Sequence, residues 1–543
     1  MQIYSFSPFG YEGSLVTVEV DLRRGIPAID LVGLADGAVK EARERMQAAI
    51  RNSGFDFPPE RILISLSPAD LKKEGAGFDL PIALAVLSAK KEDSESQTTE
   101  TSEPILIMGE LELSGKIRPV RGVHAAASTA ASGGILHCIV PSANANEARE
   151  VPGMKVFGAD SLEEAFAALA NPEVFTERKS NSLRKEDEIP ENCEIVDGVI
   201  FQKVTPEMEF ANITGQRKLV RALQIAAAGG HNLIAVGAPG CGKTLCLQKF
   251  PALLPALTVE EAQPVTRILS LAGLLSAKQS LVQIPPFRIP HQTATIEGIC
   301  GGGPLCRPGE ISLAHNGVLF LDEAAEFRTS VLQMLRVPLE SGKITISRAG
   351  RSTVFPAAFQ LLMATNPCPC GNFGSDTKLC LCSARSIEMY WKKISAPLLD
   401  RVDIRVSVTN EIESKSKEHD DSQQFSTEFL RHEIAKAVLT QRKRQGKKNA
   451  HLTPPEIIEF CEISPESQDI LNKSAEKFSF SPRANASCLK LARTIADMSG
   501  SEKNRNFSPE RSDFPKKTVQ QFSGNRIIFL NKTKRRKTAI VSC

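Results

Sequence analysis

One octapeptide constrains this chain more than any other feature: Gly237-Ala238-Pro239-Gly240-Cys241-Gly242-Lys243-Thr244, which fits G-x-x-x-x-G-K-[ST]. An apolar run, residues 233–236, precedes it and a helix-like stretch, 245–250, follows. Glycines let consecutive backbone N–H groups turn toward phosphate oxygens with no Cβ in the way. A helix N-terminus behind them adds positive potential. Lys243 can reach β- and γ-phosphates, and the Thr244 hydroxyl suits Mg²⁺. Such a loop needs a strand before it and a helix after it, so the surrounding chain is expected to be α/β on a largely parallel sheet. The competing reading, a chance glycine-rich turn, does not account for both flanks.

Other polar residues stand at the tips of apolar stretches. Residues 317–321 end in Asp322-Glu323. Asp322 would hold Mg²⁺, and Glu323 would orient and deprotonate the attacking water. Residues 360–364 run into Thr365-Asn366-Pro367, where Asn366 can hold that water, although Asn-Pro is also a common turn. Arg401 lies in Pro397-Leu398-Leu399-Asp400-Arg401-Val402-Asp403. It is either a solvated charge or, in a ring ATPase, a finger delivered in trans to the neighbour's γ-phosphate. Arg483, in Ser481-Pro482-Arg483, is either solvated or a contact made in cis from a helical lid.

Composition sets the frame. The 543 residues suggest three or four units. Lys and Arg number 66 against 63 Asp and Glu, a net +3, which excludes a histone-like basic protein. Residues 501–543 hold 11 Lys/Arg and 3 Asp/Glu, a net +8, so residues 1–500 carry −5 and any DNA binding there needs local patches. One Trp (Trp391) and three Tyr offer no aromatic stacking surface for single strands. Neither an 18-residue apolar run nor a signal-peptide pattern occurs, so a cytoplasmic protein without a membrane span is expected.

Residues 1–170 alternate strand-like stretches (14–22, 61–66, 105–113, 134–140) with helix-like ones (37–53, 80–89, 120–131, 161–169). The polar segment 90–104 reads as an inserted loop, and 171–200, poor in apolar residues, as a linker. Residues 201–427 read as the α/β core and 428–500 as helical. After Ser501 the periodicity collapses, with Pro509 and Pro515 interrupting it.

Thirteen cysteines without a secretion signal imply thiols or a metal site rather than disulfides. Cys368, Cys370, Cys380 and Cys382 form C-x-C-x₉-C-x-C within the loop 368–382. Four thiolates suit a closed, structural Zn²⁺ site, though the usual pair spacing is C-x₂₋₄-C; four reduced thiols in a plain loop are the alternative. Cys241, beside a helix N-terminus, is a candidate for oxidation.

The order and spacing of these residues resemble an AAA+ ATPase. Gly215-Gln216, 226–232 (AAAGGHN), 287–291 (FRIPH), 307–322 (RPGEISLAHNGVLFLD), 344–348 (ITISR), 364–371 (ATNPCPCG) and 397–403 (PLLDRVD) resemble the magnesium chelatase-like group, and within it the bacterial ComM/YifB family. Residues 13–18, 32–34 (VGL), Pro68-Ala69-Asp70 and Lys73-Glu74-Gly75 with 78–83 (FDLPIA) are similar to that family's first domain. The resemblance covers roughly residues 1–500. It implies an N-terminal Lon-protease-like (S5 domain 2-like) domain, then a P-loop AAA+ ATPase domain with a helical lid. It also implies a hexameric ring using ATP and Mg²⁺ to act on single-stranded or branched DNA, as a branch-migration helicase in DNA uptake and recombination. The segments 307–310 and 342–351 would project toward a pore, where Lys343, Arg348 and Arg351 meet phosphates; a solvated charged hairpin is the alternative.

Two rivals follow from the same likeness. One is a partner-remodelling motor for metal insertion, like the magnesium chelatase ATPase subunit, which is expected to lack the first domain. The other is a Ser–Lys peptidase of the Lon kind. Local alignment puts its nucleophile near Gly77 and its base near His124, with Ser65, Ser67 and Lys72 out of register, so the domain reads as a noncatalytic platform. Arg23, Arg24, Lys72 and Lys73 are either nucleic-acid contacts or solvated charge. The chain departs from the family pattern at Ala396, where glycine is usual, and over 501–543. That end is either a basic extension touching nucleic acid through 532–537 or, as we read it, a frameshifted end that leaves the lid incomplete.

Overall fold

Strands of two kinds build two sheets. The computed structural model describes residues 2–501 except 35, 70, 72, 74, 95–102, 178–189, 214, 277–279, 304–305, 349–350, 375–377, 409–424 and 479. In the first region Arg61–Ser67 buries alternate residues, the period-two pattern of a strand with one covered face. Eight strands line up in the order Thr176–Glu177, Lys155–Ala159, His137–Pro141, Ile105–Ile107, Ile3–Ser7, Ser14–Arg23, Arg61–Ser67, Ile29–Val32. Ile105 and Ile107 face the core shared with helices Gly37–Asn52 and Asp79–Ser94, while Leu106 faces the core under helix Val123–Ser132. The expected strand 105–113 is broken at Gly109, whose carbonyl accepts from Leu80 N at 3.0 Å; Glu110–Leu111 then pairs with Ile117–Arg118 instead.

The second sheet is parallel throughout and runs Phe287–Arg288, Val318–Leu321, Gln360–Thr365, Leu233–Gly237, Ile404–Val408. Val318–Leu321 and Gln360–Thr365 are buried at every residue, as strands covered on both faces must be. The first of the five strands in sequence thus lies between the last two. That order puts a switch in strand sequence beside Leu233–Gly237, and α/β sheets bind ligands at the C-terminal ends of the strands at such a point. Helices Thr427–Gln445 and Pro482–Met498 pack on helix Arg217–Gly229 behind the sheet.

Part of the segment expected as linker is structured. Cys193–Val196 and Val199–Gln202 form a hairpin. The fully buried Arg431 fixes it, donating to Gln202 O at 2.6 Å and Ala252 O at 2.6 Å, pairing with Glu194 and lying 4.9 Å from the Phe201 ring centroid. Residue 201 and its neighbours therefore belong with the second sheet.

The two regions meet at helix Val259–Ala272. Thr258 and Glu261 start it with reciprocal caps, and Gly273 stops it in the left-handed region. Arg267 donates from this helix to Tyr11 O at 3.1 Å, Glu12 O at 3.1 Å and Thr129 Oγ1 at 2.9 Å, and lies 4.5 Å from the Tyr11 ring centroid. Tyr11 N in turn donates to Thr353 Oγ1 at 3.1 Å, in the hairpin Lys343–Arg348/Arg351–Pro356. The first region thus grips both a helix and a hairpin of the second.

Among the described residues, no helix is long and apolar enough to cross a membrane. Asp70, Lys72, Glu74, 178–189 of the expected linker and 502–543 of the tail, with its basic run 532–537, lie outside the described residues, as do the side chains of Arg348 and Arg351.

Candidate nucleotide site

Parallel strands put all their C-terminal ends at one edge, and the polar tips gather there. Gly240 and Gly242 take φ of +77° and +81°, and an added Cβ at either meets nothing within 4 Å, so backbone conformation and not space demands glycine. The buried Lys243 ammonium donates to Gly237 O at 2.7 Å, Ala238 O at 2.8 Å and Asn366 Oδ1 at 3.3 Å. Thr244 Oγ1 donates to Asp322 Oδ1 at 3.1 Å. The consecutive Lys243 and Thr244 thus hydrogen-bond the residues that follow two neighbouring strands, Asn366 and Asp322. Pro239 packs on Gly371, where a Cβ would come within 2.4 Å of the proline ring.

Glu323 follows Asp322 in the left-handed region, φ +49° and ψ +48°, which is costly for a side-chain-bearing residue and turns its carboxylate off the strand line. Its Oε2 accepts from Gln292 Nε2. Gln292, just beyond the edge strand Phe287–Arg288, carries no motif signal, and sequence reasoning missed it. Gln216 donates to Cys241 O at 2.9 Å and braces the phosphate loop from behind. Cys241, expected as a candidate for oxidation, is buried with its Sγ 3.7 Å from the Lys243 ammonium, which shields it from bulk solution.

The arginines are elsewhere. Ile404 pairs with Leu233 and Val408 with Gly237, so Arg401, ahead of Ile404, stands at the N-terminal edge of the sheet. A five-residue strand spans ~16 Å, which separates it from its own phosphate loop. Arg401 donates to Pro397 O at 2.6 Å and pairs with Glu340. Arg483 Nη2 lies 3.5 Å from the other oxygen of the same carboxylate. Helix Pro482–Met498 is tied to that edge: Ser487 Oγ donates to Asp403 Oδ1 at 2.7 Å, and His231 bridges Asp403 Oδ2 at 3.3 Å and Thr494 Oγ1 at 2.8 Å. Burial raises the Asp403 pKa, yet His231 and Ser487 hold it below the usual carboxylate value. This corrects the expected cis role of Arg483, because its helix docks at the edge away from its own loop. Glu340 was not singled out from sequence; an exposed acid in a four-residue helix carries no pattern.

The four cysteines do meet. Cys368, Cys370 and Cys380 have Sγ atoms 3.4–3.7 Å apart, and all four lie within 4.8 Å of one another. That exceeds the ~2.05 Å of a disulfide. It matches the ~3.8 Å between corners of a tetrahedron with metal–sulfur bonds of ~2.3 Å. Within the cluster the Asn372 backbone N–H and the Cys368 thiol lower the Cys370 pKa, while the neighbouring thiols raise those of Cys380 and Cys382. The residues present fit a metal with soft ligands. By contrast, burial pushes Cys138 and Cys246 up to about 12 and leaves them inert.

The expected peptidase positions do not face each other. His124 is buried under the opposite face of the first sheet from the helix that follows Gly77, with Nε2 2.8 Å from Gln263 Oε1. Lys73, expected as a surface contact, is fully buried and donates to Pro68 O. Arg23 is exposed and paired with Asp21.

Known proteins align with both regions. The model described as magnesium chelatase, subunit ChlI, matches residues 209–416; subunit ChlI of Mg-chelatase matches 18–144; and magnesium chelatase, subunit ChlI C-terminal, matches 424–506. The "Competence protein ComM" of Haemophilus influenzae is 37% identical over 506 residues, 92% of this chain and 94% of that protein. The "Uncharacterized protein YifB" of Escherichia coli is 37% identical over 503 residues, with the same shares. The "Magnesium-chelatase subunit ChlI" of Trieres chinensis is 28% identical over 189 residues, 30% of this chain and 53% of it. Since a model described as a chelatase subunit matches 18–144, the first domain does not by itself separate the two groups as expected from sequence; the share of chain aligned does.

Proposed function

This chain belongs to the ComM/YifB family of magnesium chelatase-like AAA+ proteins, and from that premise we propose that it is an ATP-driven ring motor acting on DNA. The single observation that carries the reading is the Lys243–Asn366 and Thr244–Asp322 pair of hydrogen bonds, which sets at one sheet edge the residues proposed to bind phosphate, metal and water. Lys243 would leave its loop carbonyls for β- and γ-phosphate oxygens. Thr244 and Asp322 would hold Mg²⁺, which when bound supplies positive charge beside the phosphates. Glu323 would take the proton of a water positioned by Asn366. Arg401, and Arg483 beside it, face away from their own loop and would serve a neighbour's γ-phosphate, so the active unit is an oligomer, in this family's manner a hexamer. Helices 428–500 would be its lid, and the first domain a Lon-like, noncatalytic platform clamped to the motor through Tyr11 and Arg267. Zinc on Cys368, Cys370, Cys380 and Cys382 would fix the loop that carries Pro239's partner, Gly371.

The DNA reading rests on the family resemblance and on the exposed Lys343 of the hairpin; the Haemophilus relative's name ties that protein to competence. Branch migration on forked or Holliday-type DNA is the activity proposed. The test is ATP hydrolysis with and without such DNA at low and raised salt. Several-fold stimulation that fades with salt is expected. If branched DNA neither stimulates hydrolysis nor binds more tightly at low salt, the DNA reading fails, and partner remodelling in the chelatase manner takes its place.

A further inference from the structure

Three charged side chains meet at the N-terminal edge of the motor sheet, and one of them sits at the root of the hairpin. Glu340 accepts from Arg401 Nη2 on one oxygen, and its other oxygen lies 3.5 Å from Arg483 Nη2. It belongs to the four-residue helix Pro338–Ser341. Gly342, with φ +65°, turns that helix directly into the strand Lys343–Arg348. The turn is stiff: Ser341 Oγ accepts from Lys343 N at 3.2 Å and donates to Val337 O at 3.0 Å, and Ala357 N donates to Gly342 O at 2.7 Å. A shift at Glu340 therefore has three residues to travel before it reaches Lys343.

The three partners are unequal. The Arg401 side chain is 12% exposed, and its Nε is buried with no hydrogen-bond partner among the described residues. Arg483 is 42% and Glu340 57% exposed. A carboxylate this wet holds an arginine by a factor of about five at most. A phosphate group, with more charge and fixed paired oxygens, binds a guanidinium more strongly. The cluster is thus reversible, and the incompletely satisfied Arg401 is the member with most to gain from a new acceptor.

We propose that Glu340 is a positioning residue that holds Arg401 and Arg483 until a neighbouring protomer's γ-phosphate takes them, and that its release passes the nucleotide state of that interface to the Lys343–Pro356 hairpin. This rests on the ring-motor reading above. Glu340 touches neither substrate nor DNA. It acts by competing for the two arginines and by its short, hydrogen-bonded path to the hairpin.

The test is Glu340→Gln in the full chain, beside Glu340→Asp. Glutamine keeps the size and removes the competing charge. Its KM for ATP without DNA should fall about two- to fivefold, because the arginines are free in advance. Its stimulation by forked DNA should drop toward one-fold, because the hairpin no longer senses their transfer. Glu340→Asp keeps the charge and should retain most of the stimulation. An unchanged KM and unchanged stimulation in Glu340→Gln overturn the proposal while leaving the motor reading intact. Basal and stimulated rates that fall in the same proportion do so too, since that marks a structural role. A wild-type chain that hydrolyses ATP without any response to DNA overturns both.

Discussion

The two edges of one parallel sheet are built on different terms. At the C-terminal edge the loop, acids and asparagine find one another within the chain: Lys243 has three oxygen acceptors, and Thr244 has Asp322. At the N-terminal edge two arginines share a single exposed carboxylate, and one guanidinium nitrogen is buried without a partner among the described residues. The first edge is complete in one copy of the chain. The second is built to be completed by something outside it. On the proposed function, a site whose halves lie at opposite edges of one protomer would be assembled only when protomers stack edge to edge, and hydrolysis would then depend on assembly.

The sharpest way to break that comparison is to remove one half at a time. Arg401→Ala should slow hydrolysis by about 10³-fold or more. Mixing it with Lys243→Ala, also inactive, should restore activity where an intact loop of one chain meets an intact arginine of another. Steady-state rates of the mixture decide it, and no recovery would place the arginine in cis. Glu323→Gln should cost about 10²-fold or more in kcat while ATP still binds, read by nucleotide binding beside turnover; rates that survive would remove Glu323 as the base.

Smaller effects refine the picture. Cys368→Ser should abolish a bound zinc, measured by metal analysis of fresh protein, and raise the KM for ATP about fivefold, ~1 kcal/mol, as Gly371 loosens against Pro239. Zinc-free wild-type protein with a normal KM would separate the cluster from the loop. The last test concerns the stability of the N-terminal edge and leaves the nucleotide site untouched. Asp403 is held below its ordinary pKa of 3.8, so its contribution to stability is present above pH 3.8 and is lost as pH falls through its lower folded value. Acid unfolding curves of Asp403→Asn should lack that limb, and the edge should loosen by ~1–3 kcal/mol at neutral pH from the lost hydrogen bonds.

Legibility in the sequence followed local chemistry. The phosphate loop was readable because glycine spacing and flanking apolar runs are local requirements. Asp322, Glu323 and Asn366 were readable because they end apolar strands. Gln292 and Glu340 were not, since each acts on a residue 31 or 61 positions away, from an ordinary turn and a single helical turn. Arg483 was readable as a charge at a helix start, but its side of the sheet was not. Lys73 shows the converse error: a lysine in a charged run reads as surface, yet here its ammonium is fully buried and bonded to Pro68 O.

By itself the sequence determined the family, the strand–loop–helix of the nucleotide site and a cysteine set able to hold a metal, because each is written in contiguous residues or in fixed spacing. Only the tertiary structure decided which edge of the sheet each charge occupies. Strand order and the docking of helix Pro482–Met498 are set by long-range packing, and they send Arg483 to Glu340 and away from Lys243. The same packing joins the first domain to the hairpin through Tyr11, a contact 342 residues apart in sequence.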